Sequence, residues 1–434
     1  MRKPITYSQL RTLKECAFKH HLKYNHGITP TQFEETLHIG SLIHVFMDMR
    51  AKGVQFQAAH DLVREAHFQQ TPNGDEEAIL QHRILWSKLF AMLYAYDWRW
   101  TETDAQFEVV ASEKEFNVPI YNPDSGRPSR SFTMAGKIDR LVRLPGGNLV
   151  VWECKTTSED LDAGSTFWRR LRLESQPSVY VLAAREMGYD VTGVIFDVIR
   201  KPAVRPRQLT QAETRVLLDT GEYRTSLSQG SDAQLIVDGV PVRATPDAET
   251  PGEIWVDQEQ ALLSLGVKGY SIRETPALFS ARCHQLMVHN PDHYFARREI
   301  ARTERDIEEI RRELWIQTQI LLARRPSHWE KNDRACVTFS SCPYLNLCSD
   351  GFNPESDALP EGFVRLEKTH QELEEVQDGQ STSTSPVPGN GNTTPTAGDS
   401  PKAETGTRTK VSSSSDTPGQ DGGGEACPQR QSQA

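Results

Sequence analysis

Apolar residues recur at helical spacing in the first hundred positions. Leu10, Leu13 and Leu22 follow the period of a helix predicted over residues 6–26, and Ser8 is suited to its N-cap. A mostly helical N-terminal region is therefore expected. The same periodicity predicts two further helices, at Glu35–Met49 and Glu76–Trp100.

The middle of the chain changes to short segments rich in β-branched and apolar residues, which are typical of strands. A helix of about Ser175–Met187 separates the last of these segments from the three before it. The order helix, three strands, helix, strand predicts an α/β core built on a mixed sheet. The predicted strands are residues 106–120, 131–144, 149–157 and 191–199.

The pattern weakens in the second half of the chain. Residues 203–275 are rich in Pro, Thr and Asp, and we expect an insertion with some short helices. Ala296–Leu322 predicts one long helix with an apolar stripe. Its arginines are expected on solvated faces, paired with glutamates, and contact with DNA is the alternative for a few of them. From Asp378 onward the chain lacks aromatic, Leu, Ile and Met residues, which predicts a disordered tail.

The formal charge of −10 is unevenly distributed. From Asn353 to the end, 13 acidic and 6 basic residues give a net charge of −7, so the preceding residues carry −3. A nearly neutral body can present a local basic groove, so the overall acidity does not exclude nucleic acid as a partner. The sequence has no apolar run long enough to span a bilayer and no secretory signal, so we expect a soluble cytoplasmic protein with no membrane partner.

Two carboxylates and a lysine are predicted to meet at a hairpin. Asp139 lies on one predicted strand, and Glu153 and Lys155 lie on the next, after the turn Pro145–Asn148. Glu153 and Lys155 are two positions apart and face the same side of the strand, whereas Cys154 faces the other side and is expected to pack in the core. Carboxylates attract a divalent cation such as Mg²⁺, and an ammonium can orient water or stabilise phosphate charge. On this spacing alone, a salt-bridged surface hairpin is the favoured alternative.

Seven cysteines in a chain without a secretory signal argue against a disulfide framework. Cys336, Cys342 and Cys348 are evenly spaced in a short, turn-rich segment, which suits a metal centre. Cys16 is the best candidate for a fourth ligand, and it would join the two ends of the ordered chain. Four thiolates suit a [4Fe–4S] cluster or zinc, and the wide spacings favour the cluster. Three ordinary buried cysteines are the alternative.

Taken in order, these motifs resemble those of the PD-(D/E)XK nucleases, in particular the RecB-like iron–sulfur group. That group includes CRISPR-associated exonucleases and many phage and prophage nucleases. The resemblance runs from about Thr6 to Cys348, with two departures: Ala17 replaces the usual proline, and the gap between Cys336 and Cys342 is wider than in several relatives. The matching segments are Tyr7–Phe18, Gly40–His44, Gly136–Asp139, Glu153–Thr156, Gln176–Tyr180 and the three C-terminal cysteines.

The resemblance implies a restriction-endonuclease-like fold with an αβββαβ core, a mixed central sheet, and helical N- and C-terminal regions clipped together by the cysteines. It implies that His44, Asp139 and Glu153 bind Mg²⁺ or Mn²⁺. Asp139, Glu153 and Lys155 would be the catalytic residues.

Three further residues are expected near this site from the resemblance. Gln176 and Tyr180 stand four positions apart on one helical face, and they would contact DNA or hold Lys155. Glu113 resembles a strand glutamate often found near such sites. The [4Fe–4S] ligands would be Cys16, Cys336, Cys342 and Cys348.

The resemblance implies an exonuclease that acts on single-stranded DNA ends in DNA repair, recombination or phage DNA processing, with a helicase or recombination protein as a further partner. A non-catalytic iron–sulfur DNA-binding protein with the same fold is one alternative, and a zinc-stabilised protein without nuclease activity is another. The expected organisation is a nuclease domain over residues 1–352, with its core at about 35–202, an insertion at about 203–290 and the C-terminal helix and cysteines at about 291–352, then a linker at 353–377 and a disordered tail at 378–434.

Overall fold

The structure, a computed structural model, describes most of the chain before residue 368. The described residues belong to one compact unit, Met1–Gln380, and the tail expected from Asp378 lies outside them. Within these residues, we find no helix with the length and apolarity that crossing a membrane requires. The described residues are 2–31, 35–72, 74–220, 223, 269–324, 329–337 and 341–367, together with six short strands between 236 and 266.

Helices pack on both sides of the central sheet. A π-helix, His21–Asn25, follows the first two α-helices, and a 3₁₀ turn, Asp333–Cys336, precedes the last. The α-helices are α1 Tyr7–Glu15, α2 Ala17–His20, α3 Glu35–Ala51, α4 Phe56–Phe68, α5 Glu76–Asp104, α6 Thr166–Leu173, α7 Gln176–Glu186, α8 Gln211–Thr220, α9 Pro276–His289, α10 Pro291–Tyr294, α11 Glu304–Ala323 and α12 Leu345–Ser349.

The strands fall into one central sheet and several small ones. All four predicted strands are present in the central sheet to within a few residues, whereas its two other strands, Lys3–Thr6 and Phe295–Ala301, were not predicted as strands. The strands are β1 Lys3–Thr6, β2 Ile28–Pro30, β3 Glu108–Tyr121, β4 Pro128–Arg143, β5 Leu149–Thr157, β6 Val191–Arg200, β7 Ile236–Val237, β8 Val240–Pro241, β9 Ala244–Pro246, β10 Ile254–Val256, β11 Glu259–Ala261, β12 Leu263–Gly266, β13 Gly269–Ile272, β14 Phe295–Ala301 and β15 Phe363–Arg365.

The central sheet is six-stranded and mixed, as the sequence predicts. Its order is β1-β4-β5-β6-β14, with β3 also paired to β4. The β1–β4 and β5–β6 pairs are parallel, and the β3–β4, β4–β5 and β6–β14 pairs are antiparallel. Because α6 and α7 connect β5 to β6 as a crossover, these two strands can run in parallel at the centre of the sheet.

Apolar layers cover both faces of the central sheet. On one face, α3, α4, α5 and α9 pack together and reach Cys154 of β5. Cys154 is buried and its Sγ lies 2.9 Å from Met47 Sδ, which confirms the predicted packing role. On the other face, α6, α7 and α11 cover Val151, Phe196 and their neighbours. Burial of each large apolar side chain contributes about 1.5–3 kcal/mol to the stability of the fold, so the two layers stabilise the sheet that carries the candidate site.

Two of the predicted helix boundaries are wrong. Thr6, not Ser8, caps α1: its hydroxyl accepts a hydrogen bond from the Gln9 N–H at 3.2 Å. The first helix also breaks at Cys16, whose backbone is extended. A helix with a break at this residue can turn the Cys16 side chain away from the helix axis and toward the C-terminal segment.

The long helix predicted over Ala296–Leu322 is also wrong at its start. Phe295–Ala301 is strand β14, which pairs antiparallel with β6 at the sheet edge. The helix begins only after Thr303, where Thr303 and Asp306 form a capping box. The apolar stripe of α11 is as predicted, and Arg305 and Arg311 pair with glutamates, for example Arg305 with Glu309 at 2.9 Å. The prediction is wrong for Arg297, which pairs with Asp104 and Asp197, and for Arg302, which is buried and donates to backbone carbonyls.

The N- and C-terminal regions meet in a small lobe, which we call the cysteine lobe: α2, the π-helix, β2, α12 and β15. β15 pairs antiparallel with β2, and a separate apolar cluster that includes Leu22, Ile28 and Tyr344 lies beneath it. Tyr344 OH donates to the Ile28 carbonyl at 2.9 Å. Gly27 has φ +66°, and a Cβ there would collide with the Leu366 carbonyl oxygen, so this crossing requires glycine. Residues 353–367, expected as linker, supply β15.

Candidate active site and cysteine cluster

The two strands that carry Asp139 and Glu153 separate at these residues. The last pair between β4 and β5 is Arg140 with Trp152, so Asp139 and Glu153 lie one position beyond it. The Cys154 N–H crosses the gap and donates to Asp139 Oδ2 at 3.0 Å. The separation leaves space between the strands into which both carboxylates can project.

His44 approaches the same space from α3. Its Nδ1 lies 3.4 Å from Asp139 Oδ2, and its side chain is 36% exposed, so the ring stands at the mouth of the site. Desolvation lowers the pKa of His44, although the charge of Glu153 opposes this effect. A neutral imidazole offers the lone pair that a metal ion needs. The structure therefore brings together the three residues expected to bind the cation.

Lys155 is held by three acceptors. Its Nζ lies 2.9 Å from Glu153 Oε1, 3.1 Å from Gln176 Oε1 and 3.7 Å from Glu174 Oε1. Burial opposes the charged form of Lys155, but the carboxylates of Glu153 and Glu174 outweigh it and the pKa rises. Lys155 is therefore a fixed ammonium, suited to neutralising negative charge rather than to accepting a proton.

Gln176 and Tyr180 hold Lys155 in place. This is one of the two roles expected for them from the sequence. Gln176 Nε2 donates to Tyr180 OH at 2.7 Å, while its Oε1 accepts from Lys155. Tyr180 is also core: it is buried and its ring packs edge-on against Phe116 at 6.0 Å. The packing fixes Tyr180, which in turn orients the amide of Gln176.

Glu113 lies on β3, the strand next to the one that carries Asp139. Its neighbours Ser112 and Lys114 pair with Arg140 and Ile138, so Glu113 stands level with Asp139 on the adjacent strand. Its backbone has φ +49°, a left-handed conformation that is strained for a residue with a side chain. The side chain forms an ion pair with Lys137 of β4.

Both carboxylates have raised pKa values. Burial, with a smaller contribution from the charge of Glu113, raises the pKa of Asp139 to about 6, and the hydrogen bond from the Cys154 N–H opposes this shift. Burial raises the pKa of Glu153 to about 7, with Lys155 opposing the shift. Glu153 is 2% exposed, and its Oε2 has no hydrogen-bond partner among the described residues. A buried oxygen of this kind is stabilised by a cation, so the donor set fits Mg²⁺ or Mn²⁺.

The three candidate metal ligands, His44, Asp139 and Glu153, lie near one another but do not surround one common position. Across the described ranges, no three His, Cys, Asp or Glu side chains are close enough together to hold a metal ion as they stand. His44, Asp139 and Glu153 would have to move toward each other to share one ion.

The four cysteines line one cavity of about 220 Å³ in the cysteine lobe. The Asn332 N–H donates to Cys16 Sγ at 3.4 Å, and the Cys342 N–H donates to the Cys336 carbonyl at 2.9 Å. None of the four forms a disulfide. Burial, with smaller contributions from the other three thiols, raises the pKa of Cys348 to about 11, because a second thiolate nearby would be repelled. Thiols in this arrangement need a positive centre to ionise together.

Two residues near the candidate active site were not predicted from the sequence. Glu174 has no motif around it, and only the path of the chain after α6 brings its carboxylate to Lys155. Asp197 is the one acidic residue of the apolar strand β6, and this isolated acid is the signal in the sequence that could have identified it. Its side chain is fully buried behind the site.

One known protein family matches this sequence over most of its length. A sequence profile of the PD-(D/E)XK nuclease superfamily matches residues 4–349. A comparison with curated proteins gave no match. The mixed sheet and the order α5, β3, β4, β5, α7, β6 agree with the predicted restriction-endonuclease-like fold. Because the profile covers most of the sequence, the chain belongs to the PD-(D/E)XK nuclease superfamily.

Proposed function

We propose that this protein is a metal-dependent exonuclease that hydrolyses phosphodiester bonds at single-stranded DNA ends. Its family implies a nuclease that binds DNA and typically uses Mg²⁺ or Mn²⁺. The observation that carries the proposal is the pair of carboxylates at the point where β4 and β5 separate, half-buried Asp139 and buried Glu153, with the Lys155 ammonium 2.9 Å from Glu153.

The cation is proposed to bind to His44, Asp139 and Glu153. A divalent ion there supplies Lewis acidity toward the phosphate and lowers the pKa of water. The unpartnered Oε2 of Glu153 and the raised pKa values of both carboxylates support this assignment.

Lys155 is proposed to neutralise the negative charge that develops on the phosphate oxygens and to orient the attacking water. Gln176 holds the ammonium, and Tyr180 holds Gln176, so the lysine meets the substrate in one fixed orientation. Glu113 is proposed as a supporting residue because it stands level with Asp139 on the neighbouring strand.

We also propose that the protein belongs to the RecB-like iron–sulfur group. Cys16, Cys336, Cys342 and Cys348 would hold a [4Fe–4S] cluster with a structural role. Support comes from their position around one cavity. The proposed setting is DNA repair, recombination or phage DNA processing with a helicase or recombination partner, and it rests on the resemblance of the motifs.

A cleavage assay tests the proposed activity. Wild type, Glu153→Ala and Lys155→Ala are compared on end-labelled single-stranded DNA with Mg²⁺ or Mn²⁺. Glu159→Ala is the matched control, because Glu159 lies in the loop after β5 and pairs with exposed Arg170. We expect losses of at least about 100-fold for the two site variants and none for the control.

The form of the substrate separates the remaining possibilities. A circular single strand should resist an exonuclease, and blocking one end should show the polarity. Rapid cleavage of the circle would indicate an endonuclease. Wild type that binds DNA and cuts none of these substrates would instead favour the non-catalytic DNA-binding alternative.

A further inference from the structure

A basic groove lies at the N-terminal end of α3, the helix that carries His44. It is a cavity of about 640 Å³ whose lining includes Glu35, Lys88, Arg205 and Arg273. Lys88 Nζ lies 4.0 Å from Glu35 Oε1, at the limit of an ion pair. Arg205 and Arg273 are exposed and form no ion pair with any residue that the structure describes. In a protein of net charge −10, such uncompensated cations mark a local anion site.

Helix α3 connects this groove to the candidate active site. Glu35, at the start of α3, lines the groove, and His44 lies nine positions further along the same helix at the mouth of the site. At about 1.5 Å per residue, this stretch of helix is about 14 Å long, so the groove lies within a few nucleotides' length of the site.

The two exposed arginines stand on a rigid base. Glu274 is buried and accepts from Arg282 Nε at 2.5 Å and from the Arg207 N–H at 2.9 Å. Arg282 Nη2 donates in turn to the Arg205 carbonyl at 2.8 Å. This buried ion pair fixes the backbone on which Arg205 and Arg273 are carried. A groove wall fixed in this way can bind an anion without losing much conformational freedom.

We propose that the groove of Lys88, Arg205 and Arg273 holds the sugar–phosphate backbone of a DNA strand a few nucleotides from the bond that is cut. This inference rests on the proposed nuclease function. Guanidinium groups match phosphate oxygens in a bidentate manner, and neutralising successive phosphates releases counterions, which gives affinity without sequence preference.

The test is DNA binding by the full chain in EDTA, where no cleavage occurs. Fluorescence anisotropy with labelled single strands of about 4 to 16 nucleotides measures how affinity grows with length. The groove variant is Arg205→Gln/Arg273→Gln. The matched control is Arg127→Gln/Arg312→Gln, which removes the same charge from two exposed arginines elsewhere. Melting curves verify that both variants are folded.

We expect the groove variant to bind the long strand about tenfold more weakly and the slope of log Kd against log salt to fall by about 1.4, because each lost phosphate contact accounts for about 0.7. The control should match wild type. Equal weakening of both variants, or the absence of length-dependent binding by wild type, would overturn the groove assignment. If the groove variant loses binding as expected but wild type never cleaves with Mg²⁺ or Mn²⁺, the groove stands and the proposed nuclease function fails.

Discussion

Trp152 and Asp197 are joined by a hydrogen bond of 3.1 Å from the indole Nε1 to the carboxylate Oδ2, across the two central parallel strands. Asp197 also accepts from Tyr96 OH at 2.6 Å and lies 3.0 Å from Arg297 Nη2. Because Trp152 precedes Glu153, this fully buried acid fixes the strand position of a candidate ligand from the opposite face of the sheet.

Asp197 also lies 3.8 Å from Arg140, the residue after Asp139. Asp197→Asn should lower the free energy of unfolding by about 3 kcal/mol, because it leaves buried arginine charge uncompensated. Denaturant unfolding of the purified protein measures this change. Asp292→Asn is the control, since Asp292 is 88% exposed in its pair with Arg99 and should change stability by less than about 1 kcal/mol. Equal effects of the two substitutions would mean that the buried network is not important for stability.

Glu153 should lower the stability of the metal-free protein at neutral and higher pH. An unperturbed glutamate titrates near 4.5, and the pKa of Glu153 in the fold is about 7. The folded state therefore binds the proton more tightly, and stability falls as pH rises from 4.5 through about 7.

Glu153→Gln cannot ionise, so in EDTA at about pH 8 it should be more stable than wild type by roughly 2 kcal/mol, and the difference should shrink toward acid pH. Thermal unfolding across this pH range is the measurement. Added Mn²⁺ should stabilise wild type and not the variant. A variant less stable than wild type at every pH would contradict the raised pKa.

Glu174→Gln should slow cleavage by about tenfold to a hundredfold without a comparable rise in KM, because the ammonium of Lys155 loses one of its two carboxylate partners and its fixed position. Steady-state kinetics on single-stranded DNA measures both constants. Glu186→Gln, which removes a surface partner of Arg311, should behave like wild type. An unchanged rate for Glu174→Gln would show that Glu153 and Gln176 suffice to hold the lysine.

Cys336→Ser should remove the brown colour, the absorbance near 400 nm and most of the iron from protein purified without oxygen, because the cluster loses a thiolate ligand. Cys283→Ser is the control, since Cys283 is buried in an apolar cluster away from the other cysteines. Metal analysis of wild type decides between the candidates: a colourless protein with stoichiometric zinc would exclude the iron–sulfur cluster.

The order of the core elements could be predicted because each strand and helix carries its own local periodicity. Asp139, Glu153 and Lys155 could be placed near one another for the same reason, because they sit at fixed offsets around one hairpin. Their catalytic role was expected only from the resemblance of the ordered motifs. Glu174 and Asp197 were not predicted, because their roles arise from contacts with residues distant in sequence and no local pattern records such contacts.

Phe295–Ala301 shows that a local pattern can also predict the wrong kind of element. Its alternation is short and leads directly into the stripe of α11, so a single helix fits the pattern equally well. Only pairing with β6 decides in favour of a strand. The separation of β4 from β5 beyond Arg140 likewise depends on the whole sheet, although it determines where Asp139 projects.

The hydrogen bond from Tyr344 to Ile28 joins residues 316 positions apart, and β2 meets β15 nearby. During synthesis the N-terminal helices leave the ribosome long before their partners exist, because chains emerge from the N-terminus onward. The cysteine lobe can close only when β15, close to the end of the described residues, has been translated. Truncated products would lack both the closed lobe and three of its four thiols, so assembly of this lobe acts as a late checkpoint on completion of the protein.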